Sequence, residues 1–451
     1  MESILTNVVF IAFEFPPLNR GGVFRPLAFV EHLPKFGIRP IVITLDPNSF
    51  SSTFESYSSD DSLGKEVLDN TIIYRIKANI PTKNKSKISN FISIYFSMHG
   101  NETKYWHKNF RSKIVEIISI HSPKAIMATV PPFGILPLAL EIAQKYNLPL
   151  IYDFRDAWSQ WRTIPYGSIL HYWYTLILER KYLKKANIVI ATSEQTLSDF
   201  KTLHPRINSK KLSYIPNGYN GNLEKFSVGT NQNEQFTIGY VGSFYYDPIA
   251  REQMLMPWWK KRLHRKFQYT PIKQDWLYRS PYFFFRTLKK LNEESPEISH
   301  KIKVKFAGKK PDWLSTQIKE FGLEDQVELI GEITHQQSLD FQKKCDALLI
   351  TSAKQLNGVD YSIAGKTFEY IQIQRPILAF VCEGAQKDLL QKTGTSTIFN
   401  PDNLSESVKQ LRAAINGQIE YSPNLEFIQS LSRVSLSEKL ANDIKNTIYK
   451  A

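Results

Sequence analysis

The stretch VDYSIAGKTFEYIQIQRPILAF, residues 359–380, holds the residue types most able to do chemistry. Ser362, Ala364 and Gly365 are small residues at the predicted start of a helix, where free backbone amides and the positive end of the helix dipole favour a diphosphate. Lys366 and Glu369 fall one turn apart on one face of that helix. A carboxylate there can accept hydrogen bonds from a ribose diol while the amides hold phosphates. The plainer reading is an exposed i,i+3 ion pair, worth about 0.2–0.5 kcal/mol, which requires neither the glycine nor the apolar strand that follows.

A second group of charges ends the apolar run PLIYDFRDAW: Asp153, Arg155 and Asp156. Either these form a local ion-pair network holding a loop, or Asp153 or Asp156 binds hydroxyls or takes a proton. A third candidate is PPLNRGG, in which Gly21 and Gly22 let backbone amides approach an anion or a sugar closely, or simply make a tight turn. Neither GxGxxG nor GxxxxGK[ST] occurs, so ordinary dinucleotide and P-loop readings are weak.

These pieces need a scaffold that ends strands in loops on one side. NVVFIAFEF, IRPIVITLD, KAIMATV, PLIYDFRD, ANIVIATS and KLSYI read as buried strands. Helical patterns separate them, among them VFRPLAFVEHLPKFG, GILPLALEIAQKYN and an amphipathic segment from about residue 169 to 185. That alternation implies a mostly parallel sheet with helices on both faces. The polar stretch after residue 220 reads as a linker, and the rhythm then restarts with FTIGYVGSFY, IKVKFAGKK, QVELIGEI, CDALLITS and RPILAFVC. The expected division is therefore 1–220, a linker at 221–235, a second domain at 236–429, and terminal helices at 430–451 that return to the first domain. A chain of 451 residues exceeds what one core usually supports, which agrees with two domains.

With 42% hydrophobic and 22% charged residues the chain is an ordinary globular one. Its two cysteines, Cys345 and Cys382, suggest neither a disulfide framework nor a zinc site, and a reducing, cytosolic compartment is expected. Glu2 sits where a signal peptide wants a cation, and no apolar run reaches the length of a membrane span.

Taken in order, FEFPPLNRGGVFR, YDFRDAW, ANIVIATS, IPNGY, IGYVGSFY and above all GKTFEYIQIQRPIL resemble the retaining, nucleotide-sugar-dependent glycosyltransferases of family 4. The resemblance implies an α/β protein of two Rossmann-like, doubly wound domains facing a cleft, the GT-B fold. It implies a nucleoside diphosphate sugar as donor substrate, no further cofactor and no obligatory metal, and a saccharide or lipid-linked saccharide as acceptor. Sugar would pass with retained configuration, as in cell-surface polysaccharide assembly; an epimerase or hydrolase on the same fold is the enzyme alternative. A binding protein on a transferase scaffold is the non-enzyme one. Glu369 resembles the ribose-binding carboxylate, Gly21 and Gly22 the loop beside the diphosphate, Gly242 and Ser243 the loop opening the second domain, and Gly365 with Lys366 part of the phosphate cradle.

Departures from the family pattern define open positions. The first member of the frequent Glu-x7-Glu pair is here Tyr361, preceded by Asp360. Where cations often follow the VGSFY-like loop, this chain has YYDPIAR, leaving Arg251 or Lys309 to neutralise the diphosphate. The first-domain histidine of many members has only regional candidates, His99, His107 and His121, so Asp153, Asp156 and Tyr361 are carried as the catalytic candidates.

The net charge of +14 is concentrated in one window: between residues 251 and 290 there are eleven Lys or Arg against Glu252 and Asp275. Its centre, MPWWKKRLHRKF, interrupts the family pattern as an insertion at about 250–282. Trp258, Trp259, Lys260, Lys261 and Arg262 suit an anionic membrane surface or an acceptor, or the insertion packs on its own domain. KNKSKISNFISIYF and KYWHKNFRSK form a second basic aromatic patch. Nucleic acid is disfavoured, because no nucleic-acid-binding module surrounds the window. The expected location is the cytoplasm, with peripheral attachment to the inner face of the membrane left open.

Overall fold

The computed structural model describes residues 5–54, 56–79, 103–160, 165–225, 235–418 and 421–449. His99, the patch at 83–96 and most of the expected linker lie outside the described residues. The chain forms two compact units, one of residues 1–217, 262–271 and 433–451, the other of 218–261 and 272–432.

The first unit is built on seven parallel strands: β1 (Thr6–Ile11), β2 (Ile38–Leu45), β3 (Ile72–Ile76), β4 (Ala125–Val130), β5 (Leu150–Phe154), β6 (Ile188–Ala191) and β7 (Leu212–Tyr214). Their order is β3-β2-β1-β4-β5-β6-β7, so the direction of winding reverses between β1 and β4. Helices cover both faces of the central strands, so β4 and β5 are buried at every position, Thr129 and Asp153 included. Helices α1 (Phe24–His32), α2 (His107–His121), α3 (Ile135–Lys145) and α4 (Ile169–Lys185) belong to this unit. So does the C-terminal helix Arg433–Tyr449, whose Leu436, Leu440, Ala441 and Ile444 pack into one cluster with Val8, Phe10, Phe29 and Val30.

The second unit has six parallel strands: β8 (Phe236–Val241), β10 (Ile302–Ala307), β11 (Val327–Gly331), β12 (Ala347–Thr351), β14 (Ile377–Phe380) and β15 (Ser396–Phe399). The order β11-β10-β8-β12-β14-β15 again reverses beside the first strand, between β8 and β12. A two-residue ladder joins β9 (Gln274–Asp275) to β13 (Lys354–Gln355). Helix α5 (Tyr282–Glu294) buries Phe283, Phe284, Phe285, Leu288 and Leu291 against this sheet, and α6 (Gly365–Ile373) connects β12 to β14.

The insertion does not belong wholly to the second unit, as the sequence pattern suggested. Residues 262–271 group with the first, because Tyr166 and Tyr269 exchange both backbone hydrogen bonds, at 2.8 and 3.0 Å. Backbone pairing of this kind needs only two extended segments, so apolar periodicity carries no sign of it.

Candidate functional site

Ligands of open parallel sheets bind beyond the carboxyl ends of the strands at the point of reversal. In the second unit that point holds most of the donor-binding candidates singled out from the sequence. Gly242 and Ser243 follow β8, and Gly242 adopts a positive φ of 85°. Gly308, after β10, has φ 154°, and a Cβ there would sit 2.2 Å from the Gly242 carbonyl oxygen. The two loops thus touch backbone to backbone, which only glycine allows.

Lys366 reaches this place from the first turn of α6. Its Nζ donates to the Val241 carbonyl at 2.5 Å and lies 3.7 Å from the centre of the Tyr240 ring. Burial of the ammonium pushes its pKa down to about 7, against an upward pull from Glu369. Glu369 is half-buried one turn further on, where its Oε2 accepts from Gln342 Nε2 at 3.4 Å. Gln386 accepts from the Ala364 amide at 2.8 Å, capping one free donor of α6. Gly365 is exposed and has no atom within 4 Å of a Cβ position, so the helix start is open on that side.

The cations sort differently from the sequence expectation. Arg251 is held by Asp275, at 2.5 Å from Nε and 2.8 Å from Nη2, and that bond raises its pKa. Its charge is matched inside the insertion, so it is a poor partner for a diphosphate. Lys309 is exposed directly after Gly308. Arg279, which the sequence reading counted only as part of the basic window, donates to Ser362 Oγ at 3.3 Å on the loop leading into α6. Its signal was present in the charge run, but nothing in the local sequence separates it from its neighbours.

Tyr361 is partly buried on the same loop. The adjacent Asp360 is 2% exposed and accepts from the Ser362 amide and hydroxyl, at 3.3 and 2.8 Å. It shapes the loop and does not take the place of an exposed carboxylate. A crevice of about 480 Å³ lies elsewhere in this unit, at the β14 and β15 ends, lined by Lys354, Cys382, Asn400 and Asp402 among others. Neither Lys366 nor Glu369 lines it.

In the first unit Asp153 is fully buried. Its carboxylate accepts from Arg25 Nη2 at 2.8 Å and Nε at 3.1 Å, and from Thr129 Oγ1 at 2.9 Å. Neither reading of this residue holds: its partner is the distant Arg25 and not the neighbouring Arg155, and a carboxylate without exposed oxygens touches no substrate, so Asp153 leaves the catalytic set. Asp156 remains half-buried just beyond β5.

Arg155 does hold its loop, as one reading of the sequence had it, but through partners other than Asp153. It donates to the carbonyls of Gly22 and Pro131 and, at 3.3 Å, to Glu14. Glu14 also holds Arg20 at 3.1 Å. One guanidinium therefore ties the loops after β1, β4 and β5, at this sheet's own point of reversal. The guanidinium explains Gly22, where a Cβ would lie 2.0 Å from Arg155 Nη1, whereas Gly21 is exposed with nothing within 4 Å. Of the histidines, His107 bonds the Gly134 carbonyl at 3.0 Å in the loop after β4, and burial lowers its pKa. His121, at the other end of α2, bonds the Tyr74 hydroxyl at 2.8 Å.

In the insertion, Trp258 and Trp259 are 64% and 62% exposed and pack edge to face, and Lys260 is exposed beside them. Arg262 is exposed in the segment that groups with the first unit. Among the described residues no helix is long and apolar enough to cross a membrane.

Residues 21–222 match the family described as Glycosyltransferase Family 4. Among solved structures, a sucrose-phosphate synthase from Thermosynechococcus elongatus superposes with TM-score 0.59 and 13% identity, over 99% of this chain and 100% of that one. The lipopolysaccharide outer core galactosyltransferase WaaB gives TM-score 0.58 and 13% identity, covering 99% of each chain. HepE of Anabaena, solved in complex with UDP-glucose, gives 0.50 and 14%, over 98% and 97%. At such identities the likeness establishes the fold. No curated protein matches the chain at the level of sequence. The family match covers residues 21–222, and the two parallel sheets form the GT-B fold of these similar structures.

Proposed function

We propose that this protein transfers a sugar from a nucleoside diphosphate sugar to a saccharide or lipid-linked saccharide, with retention and without an obligatory metal. The carrying observation is the convergence, at the reversal of the second sheet, of the Gly242 and Gly308 loops with Gly365, Lys366 and Glu369. In this reading the Gly365 amide and the helix dipole hold phosphate, Lys366, Lys309 and Arg279 offset its charge, and Glu369 accepts from the ribose. Ser243 borders the sugar. HepE was solved with UDP-glucose, which supports a donor of the same class here.

In the first unit Gly21 and Gly22 belong to a loop suited to an anion or a sugar, and Asp156 there and Tyr361 in the second unit are the groups left to contact reacting hydroxyls. The outer-core galactosyltransferase among the similar folds supports a place in cell-surface polysaccharide assembly. Trp258, Trp259, Lys260 and Lys261 contact the acceptor or the anionic inner face of a membrane, to which a cytoplasmic enzyme attaches peripherally.

A thermal-shift and calorimetric screen of nucleotide sugars tests the donor site. Glu369→Ala is expected to weaken the best donor by roughly 1.5–3 kcal/mol, the worth of hydrogen bonds to a charged group. Unchanged affinity would remove Glu369 from the site. Radiolabelled donor incubated without acceptor separates the alternatives, since an epimerase or hydrolase converts it alone.

A further inference from the structure

The outer face of α4 is unlike that of a solvated helix. Its inner face buries Tyr172, Thr175, Glu179, Tyr182 and Leu183. On the opposite face, at spacings of three and four residues, stand Leu170, Trp173, Tyr174 and Ile177, which are 66%, 53%, 51% and 64% exposed. The same face continues with Arg180, Lys181, Lys184 and Lys185, all exposed. Two apolar turns are followed by two basic ones, where a helix in water carries polar residues throughout. The only acid in α4 is Glu179, which is buried and bonded to the Ser159 amide and to His204.

A second segment of the same unit adds to this surface. The Tyr166–Tyr269 backbone bridge brings the end of residues 262–271 beside α4, and the Tyr269 ring packs 5.1 Å from Tyr172. Just upstream, Phe267 and Leu263 are 69% and 77% exposed, accompanied by the exposed Arg262 and by Lys266. Residues 262–271 contain no acid. An exposed apolar set of this size marks a contact surface. Its rings and branched chains stand on the outward side of a helix with cations around them, so the complementary partner is negatively charged, wet at its edge and apolar beneath. An anionic bilayer has that profile: aromatic rings settle at headgroup depth and lysines meet lipid phosphate.

We propose that the outer face of α4, together with residues 262–267, docks the first unit on an anionic lipid surface. This surface shares no residue with the donor site, so vesicle binding tests it whether or not sugar transfer is observed. The full chain is co-sedimented with vesicles of phosphatidylglycerol in phosphatidylcholine and with phosphatidylcholine alone. Binding is expected to the anionic vesicles and to fall with added salt. The double variant Trp173→Ser with Ile177→Ser lowers the partition at least about tenfold. Lys181→Gln, Lys184→Gln and Lys185→Gln together lower it about 100-fold. Circular dichroism and melting temperature verify that both variants, altered only at exposed positions, remain folded. The proposal is overturned if the wild type ignores anionic vesicles, or if the α4 variants bind as well as it does. It is equally overturned if light scattering shows a dimer that Trp173→Ser with Ile177→Ser makes monomeric, since a second copy would then cover the face.

Discussion

Lys366 brings an ammonium against an aromatic ring and a carbonyl at the end of β8, and its cost is set by pH. Its folded-state pKa, pushed down by burial to about 7, lies below that of a lysine in the unfolded chain, near 10.4. Between those values the unfolded chain binds more protons, so stability rises as pH rises through that window. Urea melts between pH 7 and 10 should show this slope, and Lys366→Met should flatten it. A diphosphate placed beside Nζ restores the charged form, so binding near pH 8 should take up a proton. Calorimetry in PIPES and in Tris would then give enthalpies that differ by a positive fraction of the buffer ionisation enthalpy; equal enthalpies would place the phosphates away from Lys366. At this scale the sequence told much about Lys366 and Glu369, whose relation is local, within one turn. It told little about Asp153, because its partner Arg25 is 128 residues away and a buried ion pair leaves no mark on spacing. The same holds for the choice between Arg251 and Arg279, which depends on Asp275 for one and on Ser362, 83 residues on, for the other.

Elements enter through the loops that end them. Strand ends were legible because an apolar run stops where the sheet stops, and the loops after β1, β5 and β8 follow directly. The segments that escaped are those whose order comes from tertiary contact: the β9–β13 ladder of two residues each, and the bridge from Tyr269 to Tyr166. Two glycines separate the roles of these loops. Gly308→Ala forces a Cβ onto the Gly242 carbonyl in a backbone conformation that side chains avoid, and strain alone costs about 1–3 kcal/mol. It should lower both the melting temperature and donor affinity. Gly365→Ala meets no atom within 4 Å and begins a helix, so stability should hold within about 0.5 kcal/mol while donor affinity falls if the methyl group enters the proposed phosphate site. Loss of stability without loss of affinity at Gly365 would mean that the α6 start serves packing alone.

At the scale of the whole molecule, sequence order and compactness part company. Residues 1–217 contain all seven strands of the first sheet, yet that unit also takes residues 262–271 and 433–451. The C-terminal helix buries Leu436, Leu440 and Ile444 to 5%, 0% and 0% exposure, against strands and helices formed more than 380 residues earlier. Burial of a large aliphatic side chain contributes about 1.5–3 kcal/mol, so these three contribute roughly 5–9 kcal/mol. Net domain stability is only about 5–15 kcal/mol. A fragment of residues 1–217 should therefore be marginal even though its sheet is complete, with exposed Phe10, Phe29 and Val30 making it prone to aggregate. Residues 1–217 joined through a flexible linker to 433–451 should melt cooperatively at a higher temperature than the bare fragment. Leu440→Ala in the full chain should cost about 2–5 kcal/mol, seen in a melt that resolves the first unit. Equal stability of the two fragments would show that the helix lies on a sheet that is stable without it, and that the chain's last turns are covering and not core.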